Sequence, residues 1–183
     1  MSEKGKLTLF AKDEASKSFT SPSWSNYAGG GLNYSDTFGS VDVFIAGKTT
    51  NSGHGSFIEG KYTTPKIANS DWAIELRTRG CEDISYETGD KSIYMTQRVA
   101  AKGSWSLPKN FSIYQIAGVN AKFDLQGNGV QSITPTSITG VGYKVTKNFS
   151  VYGEFEMTKG YNFVNNKWDK FGCGGYIGGK VTF

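Results

Sequence analysis

The sequence predicts an all-β fold of antiparallel strands in up-and-down order. Three observations predict it. Apolar and polar residues alternate along most segments, the period of two that sends successive side chains to opposite faces of a strand. No long stretch repeats its apolar residues at the 3.6-residue period of a helix. The connections alternate between tight and longer ones, as they do when consecutive strands pair as hairpins.

Five hairpins account for the chain. Residues 6–14 pair with 24–34, and residues 41–50 pair with 55–64. In the latter hairpin Val41, Val43 and Ile45 oppose Asp42, Phe44 and Lys48 across one strand. Residues 71–79 pair with 92–107: Trp72, Ile74 and Leu76 share a face against Glu75, Arg77 and Arg79, and Ile93, Met95, Val99 and Trp105 share one against Tyr94, Arg98 and Lys102. Residues 111–124 pair with roughly 134–145, with Phe111, Ile113, Val119 and Phe123 against Tyr114, Asn120, Lys122 and Asp124. Residues 149–157 pair with 171–183. There Phe149, Val151, Phe155 and Met157 alternate with Ser150, Tyr152, Glu154 and Glu156, and Cys173, Ile177, Val181 and Phe183 alternate with Tyr176, Lys180 and Thr182. The pattern fades in the glycine-rich segment 24–34 and in 55–64.

The tight connections are 35–39, 64–70, 107–110 and 146–148. The other set, 17–23, 80–91, 126–133 and 158–170, is longer and more polar, with only 51–54 short. Because the two sets alternate, both chain ends fall at the tight-turn rim.

Composition bounds the reading. The chain has 183 residues, and we expect one domain over 1–183. Charged residues make up 20%, aromatics 14%, and there are 24 glycines. Mean hydropathy is -0.40, and no apolar run approaches the ~20 residues of a membrane helix. The net charge of +4 is spread among acids, so no basic stripe marks a nucleic-acid partner.

Alternating strands, short turns at one rim, longer loops at the other and a closing aromatic strand at 171–183 resemble the bacterial outer-membrane β-barrels. The resemblance covers nearly all of the chain at the level of architecture and points to no single family. It implies a closed transmembrane barrel of about ten strands, with eight as the alternative if the first hairpin lies outside the wall. A closed wall is what lipid demands, since hydrocarbon satisfies no backbone group. It also implies an outer-membrane location, with a signal peptide removed, since residues 1–6 carry no apolar signal core. Tyr34, Trp72, Trp105, Phe111, Phe149 and Phe183 would then form a lipid-facing aromatic girdle near the tight-turn rim. Membrane lipid and lipopolysaccharide are the implied surroundings, and the oligomeric state stays open.

The inside of such a barrel would be lined by Lys48, Glu59, Glu75, Arg77, Arg98 and Lys102 from the first half of the chain. Lys122, Lys144, Glu154, Glu156 and Lys180 would complete the lining. The expected function is a narrow porin-like channel for ions or small solutes, with selectivity set by these charges. One alternative is a plugged barrel serving as surface anchor or adhesin. Another is a soluble β-barrel that binds a small apolar ligand, in which the apolar parity would face inward.

Enzymatic chemistry is not expected. The single histidine, His54, sits beside Ser52 and Ser56 without an acid in its own loop to orient the ring. No cofactor and no metal site is expected, and the acidic run 82–90 reads as a solvated loop. An oxidising compartment permits a disulfide between Cys81 and Cys173, with two free thiols as the alternative.

Overall fold

Alternation becomes a wall whose two faces meet different surroundings. The computed structural model describes residues 5–127 and 129–183. Its strands are β1 (Lys6–Ser18), β2 (Trp24–Asp36), β3 (Gly39–Thr50), β4 (Gly53–Thr63), β5 (Trp72–Ser85) and β6 (Lys91–Ser106). They continue as β7 (Phe111–Asp124), β8 (Gly129–Lys144), β9 (Phe149–Thr158), β10 (Tyr161–Asn162), β11 (Lys167–Trp168) and β12 (Gly172–Thr182). Among the described residues there is no helix.

Each strand from β1 to β8 pairs antiparallel with its successor, β12 pairs with β9, and the ring closes where β12 meets β1. This is a barrel of ten strands, so the first hairpin belongs to the wall and the eight-strand alternative falls. The seam runs in register from Phe10↔Thr182 to Ser18↔Gly174. The two-residue strands β10 and β11 stand outside the ring. They extend the sheet from β8, where Tyr161 faces Ile133, beyond the last β8–β9 pair at Thr136↔Thr158. Pro135 lies between these two pairings, a place where a missing N–H costs the ladder little.

The connections differ from the sequence expectation. The strands run well into 80–91 and 126–133, because β5 continues to Ser85, β6 starts at Lys91 and β8 starts at Gly129. The acidic segment was expected to be loop because of its charge. Its charges instead alternate across the wall: Asp83 points inward to Lys48 at 2.9 Å, and Glu82 meets Lys91 at 2.8 Å. At the opposite rim the link between Thr63 and Trp72 is the longest, held by Ile67 N–H on the Trp72 carbonyl at 2.7 Å. The tight connection 107–110 falls where it was expected; of the longer set only the β9–β12 connection keeps the expected length, and it carries the β10–β11 hairpin.

The apolar parity faces outward. Val99 is 60% exposed, Ile45 59% and Ile177 73%, whereas Glu75 on the other parity is 1% exposed. Phe155, Val151 and Ile113 lie on the outer surface and Arg98 inside, so an inward apolar core, and with it the soluble ligand-binding barrel, is set aside. This is the inverse of a water-soluble barrel and the arrangement a spanning barrel requires. Of the expected girdle, Tyr34, Phe111, Phe149 and Phe183 are exposed, and Trp72 packs edge-on against Trp105 at 5.8 Å. Polar outward residues on β7 and β8 satisfy one another, with Gln115 bonded to Ser137 at 3.0 Å and Thr139 at 2.6 Å. Asp13 is the exception: it is exposed on the outer parity of β1, opposite Ala28 and Gly179.

Candidate functional site

The inward parities of the strands build two walls of different chemistry. On β3 to β6, cations pair with carboxylates. Lys61 reaches Asp42 at 2.7 Å. Arg79 donates from Nε and Nη2 to one oxygen of Glu59, at 2.9 and 2.6 Å. Arg98 bonds Glu75, whose other oxygen lies 3.7 Å from Lys102. Asp83 receives both Lys48 and the Tyr94 hydroxyl, each at 2.9 Å. Low-dielectric surroundings strengthen such pairs, and each would be costly to break because the surviving charge stays buried.

On β9, β12, β1 and β7, phenols take the place of most cations. Tyr114 donates to Glu154 at 2.5 Å and Tyr152 to Glu14 at 2.6 Å, while Tyr176 donates to Glu156. Among the described residues only Glu14 of these three also pairs with a cation, Lys12, at 3.0 Å. A neutral donor satisfies a carboxylate without cancelling its charge, and Lys122 and Lys180 on these strands stand over the Tyr94 and Phe10 rings.

Between the walls on the β1–β4 side lies an aromatic cluster. Phe10 stacks on Phe44 at 5.7 Å, Phe44 meets Phe57 at 5.8 Å, and Tyr27 stands edge-on to Phe57 at 5.3 Å. Ala46 and Cys81 are buried with them. A Cβ at Gly31 would come within 2.6 Å of the Phe10 ring, so glycine there is what lets the ring lie against the wall. Cations cap the rings: Arg79 sits 4.1 Å from the Phe57 centroid and Lys180 4.1 Å from that of Phe10.

Lys48, Glu59, Glu75, Arg77, Arg98 and Lys102 border the interior cavity, as do Lys144, Glu154, Glu156 and Lys180, with Lys144 at the rim. Lys122 lies on the same parity of β7, over the Tyr94 ring at 4.1 Å. The expected lining left out Lys12, Glu14, Asp42, Lys61, Arg79 and Asp83, which share those parities, although Asp42 and Arg79 already stood on the polar faces in the sequence. It also missed that aromatic rings fill part of the interior. The signal was present in 6–14, where Phe10 alternates in step with Lys12 and Glu14.

The cysteines do not bridge. Both are free thiols; Cys81 points inward and Cys173 lies on the outward parity of β12, so the wall separates them. His54 lies on the outward parity of β4 with its ring 5.4 Å from Tyr86. Among the described residues, no group of three His, Cys, Asp or Glu side chains is placed to hold a metal ion.

Two cavities enter from opposite rims. One of about 780 Å³ opens among the β1–β2, β3–β4 and β5–β6 connections, lined by Ser23, Asn51 and Thr88. The other, about 1110 Å³, opens at the opposite rim beside Lys109, Asn110 and Lys147. Both are bordered by one layer of residues: Ser16, Ser25, Lys48, Asp83, Glu156 and Tyr176.

No family model matches the chain, and no curated protein matches it. Among solved structures it is similar to the KdgM porin, at 12% identity over 97% of this chain and 99% of that one, with a TM-score of 0.48. The NanC porin is 14% identical over 96% and 99%, also at 0.48. The outer membrane protease OmpT from Escherichia coli is 13% identical over 98% and 96%, at 0.43. The chain is thus an outward-apolar β-barrel whose solved neighbours are bacterial outer-membrane β-barrel proteins, with no specific family shown by sequence.

Proposed function

We propose that the protein is a small outer-membrane pore that passes ions or small solutes through a narrow, charged interior. The observation that carries this reading is the pair of cavities reaching inward from opposite rims to a common layer at Lys48, Asp83, Glu156 and Tyr176. The apolar outer face supports a membrane location, and barrel width at ten strands supports a narrow bore. At the shared layer an ion pair stands on β3 and β5 and a phenol–carboxylate pair on β9 and β12. A solute passing that layer meets charges of both signs at close quarters, and these would set selectivity.

The test is conductance of the purified, refolded chain in a planar bilayer. Stepwise single-channel currents in potassium chloride support the pore. A folded, inserted barrel that adds no current overturns it. That outcome favours the second reading, a plugged barrel serving as a surface anchor, for which the buried aromatic cluster of Phe10, Phe44 and Phe57 is the favouring observation.

A further inference from the structure

Arg77 on β5 and Arg98 on β6 are direct cross-strand partners, and both border the larger interior cavity. Like charges placed opposite each other on one face of a sheet repel. The carboxylates nearby do not neutralise them fully: Arg77, Arg79, Arg98 and Lys102 share Glu59 and Glu75. Glu59 is engaged by Arg79 at 2.6 Å and stands 3.9 Å from Arg77 Nε. Among the described residues the one hydrogen bond of the Arg77 guanidinium is to Asn120, at 3.3 Å.

A second observation is independent of the charge count. The Nε atoms of Arg77 and Arg98 are both buried without a hydrogen-bond partner among the described residues. The Arg98 side chain is only 7% exposed. A buried guanidinium N–H without an acceptor costs as much as a lost charged hydrogen bond, and two such donors on adjacent strands are rare in a settled fold. An oxyanion held between the two guanidiniums would remove the repulsion and offer acceptors to their N–H groups, since the planar fork of arginine suits a carboxylate or sulfate group.

We infer that Arg77 and Arg98 form a binding site for a single oxyanion group, carboxylate or sulfate, on a solute moving through the barrel. As a statement about what the pore selects, this rests on the pore reading. The facing wall narrows the class. Glu154 and Glu156 border the same cavity as the two arginines, with phenol donors and no ion-pair partner among the described residues. A second anionic group on the same solute would be repelled there. The matching solute carries one oxyanion, with a neutral or cationic remainder.

The experiment uses the refolded full chain in detergent and needs no conduction. Thermal unfolding is followed during titration with sodium acetate or trisodium citrate, at an ionic strength held constant with sodium chloride. Acetate is expected to raise the wild-type midpoint in a saturable way, because a ligand that binds only the folded state stabilises it. In Arg77→Gln the acetate-dependent rise is expected to be lost, and citrate is expected to raise the wild type less than acetate does. An equal acetate response in wild type and variant overturns the site; a larger citrate response overturns the single-anion class. Should Arg77→Gln not fold, crystals of the wild type soaked in selenate decide the matter: selenium between the two guanidiniums supports the site, and an empty position overturns it. A barrel that binds acetate but passes no current would remove the pore and leave the site. A conducting barrel without the acetate response would do the reverse.

Discussion

The two inner walls reach the same end, inward carboxylates that each have a hydrogen-bond or ion-pair partner, by different means. On β3 to β6 each acid faces a cation, as Glu75 faces Arg98 and Lys102. On β9, β12 and β1 the acids face tyrosines, as Glu154 faces Tyr114. An ion pair cancels charge and ties two strands together. A phenol supplies one hydrogen bond and leaves the charge in place. The first wall is therefore the mechanical one, where losing a partner strands a charge. The second is the electrostatic one, where charge can be changed with less harm to the fold.

Four substitutions can break or sharpen that division. Glu75→Ala leaves Arg98 and Lys102 without their carboxylate, and the expected cost is ~3–5 kcal/mol. It is read as a shift in the urea midpoint for unfolding from vesicles; a cost below that of Tyr114→Phe would abolish the distinction. Val99→Arg puts a guanidinium one residue from Arg98 but on the outer face, at an expected ~2–4 kcal/mol near the bilayer midplane. If it folds into vesicles as readily as wild type, the assignment of faces is wrong. Tyr114→Phe removes one donor to Glu154 and keeps the ring, for an expected ~1.5–3 kcal/mol by the same urea assay. Glu154→Gln should change stability least while moving the reversal potential in a potassium chloride gradient toward anions. An unchanged potential in a conducting variant would mean that this wall does not set selectivity.

Much of the barrel was legible because alternation is a local property. The residues 149–157 sort themselves into two faces without reference to any other strand. Inside and outside were legible only in part: acids and bases of both signs share a parity and can pair across a lumen, but alternation by itself left the soluble barrel open. The tyrosine partners were not legible. Tyr114 and Glu154 are 40 residues apart and Tyr152 and Glu14 are 138 apart, so their meeting depends on a register that no local pattern encodes. The segment 24–34 lost its pattern for a packing reason: glycine at position 31 clears space for a phenylalanine from the next strand and so erases the inward polar signal. The acidic run 82–90 misled because charge density was taken as a sign of loop, whereas Asp83 and Glu82 are used on opposite faces of a continuing strand. The cysteine pairing failed on parity alone, since residues on opposite faces of one wall cannot meet.

The junction of β1 with β12 bears on how the molecule comes into being. Phe10 finds its neighbour Thr182 only after nearly the whole polypeptide has been made and threaded into place. Until then both margins of the sheet display bare amides and carbonyls, which oil does not solvate. The cylinder must therefore shut before, or while, it enters the bilayer, and a chain shortened by its final strand would be left not with a smaller bore but with no insertable object at all.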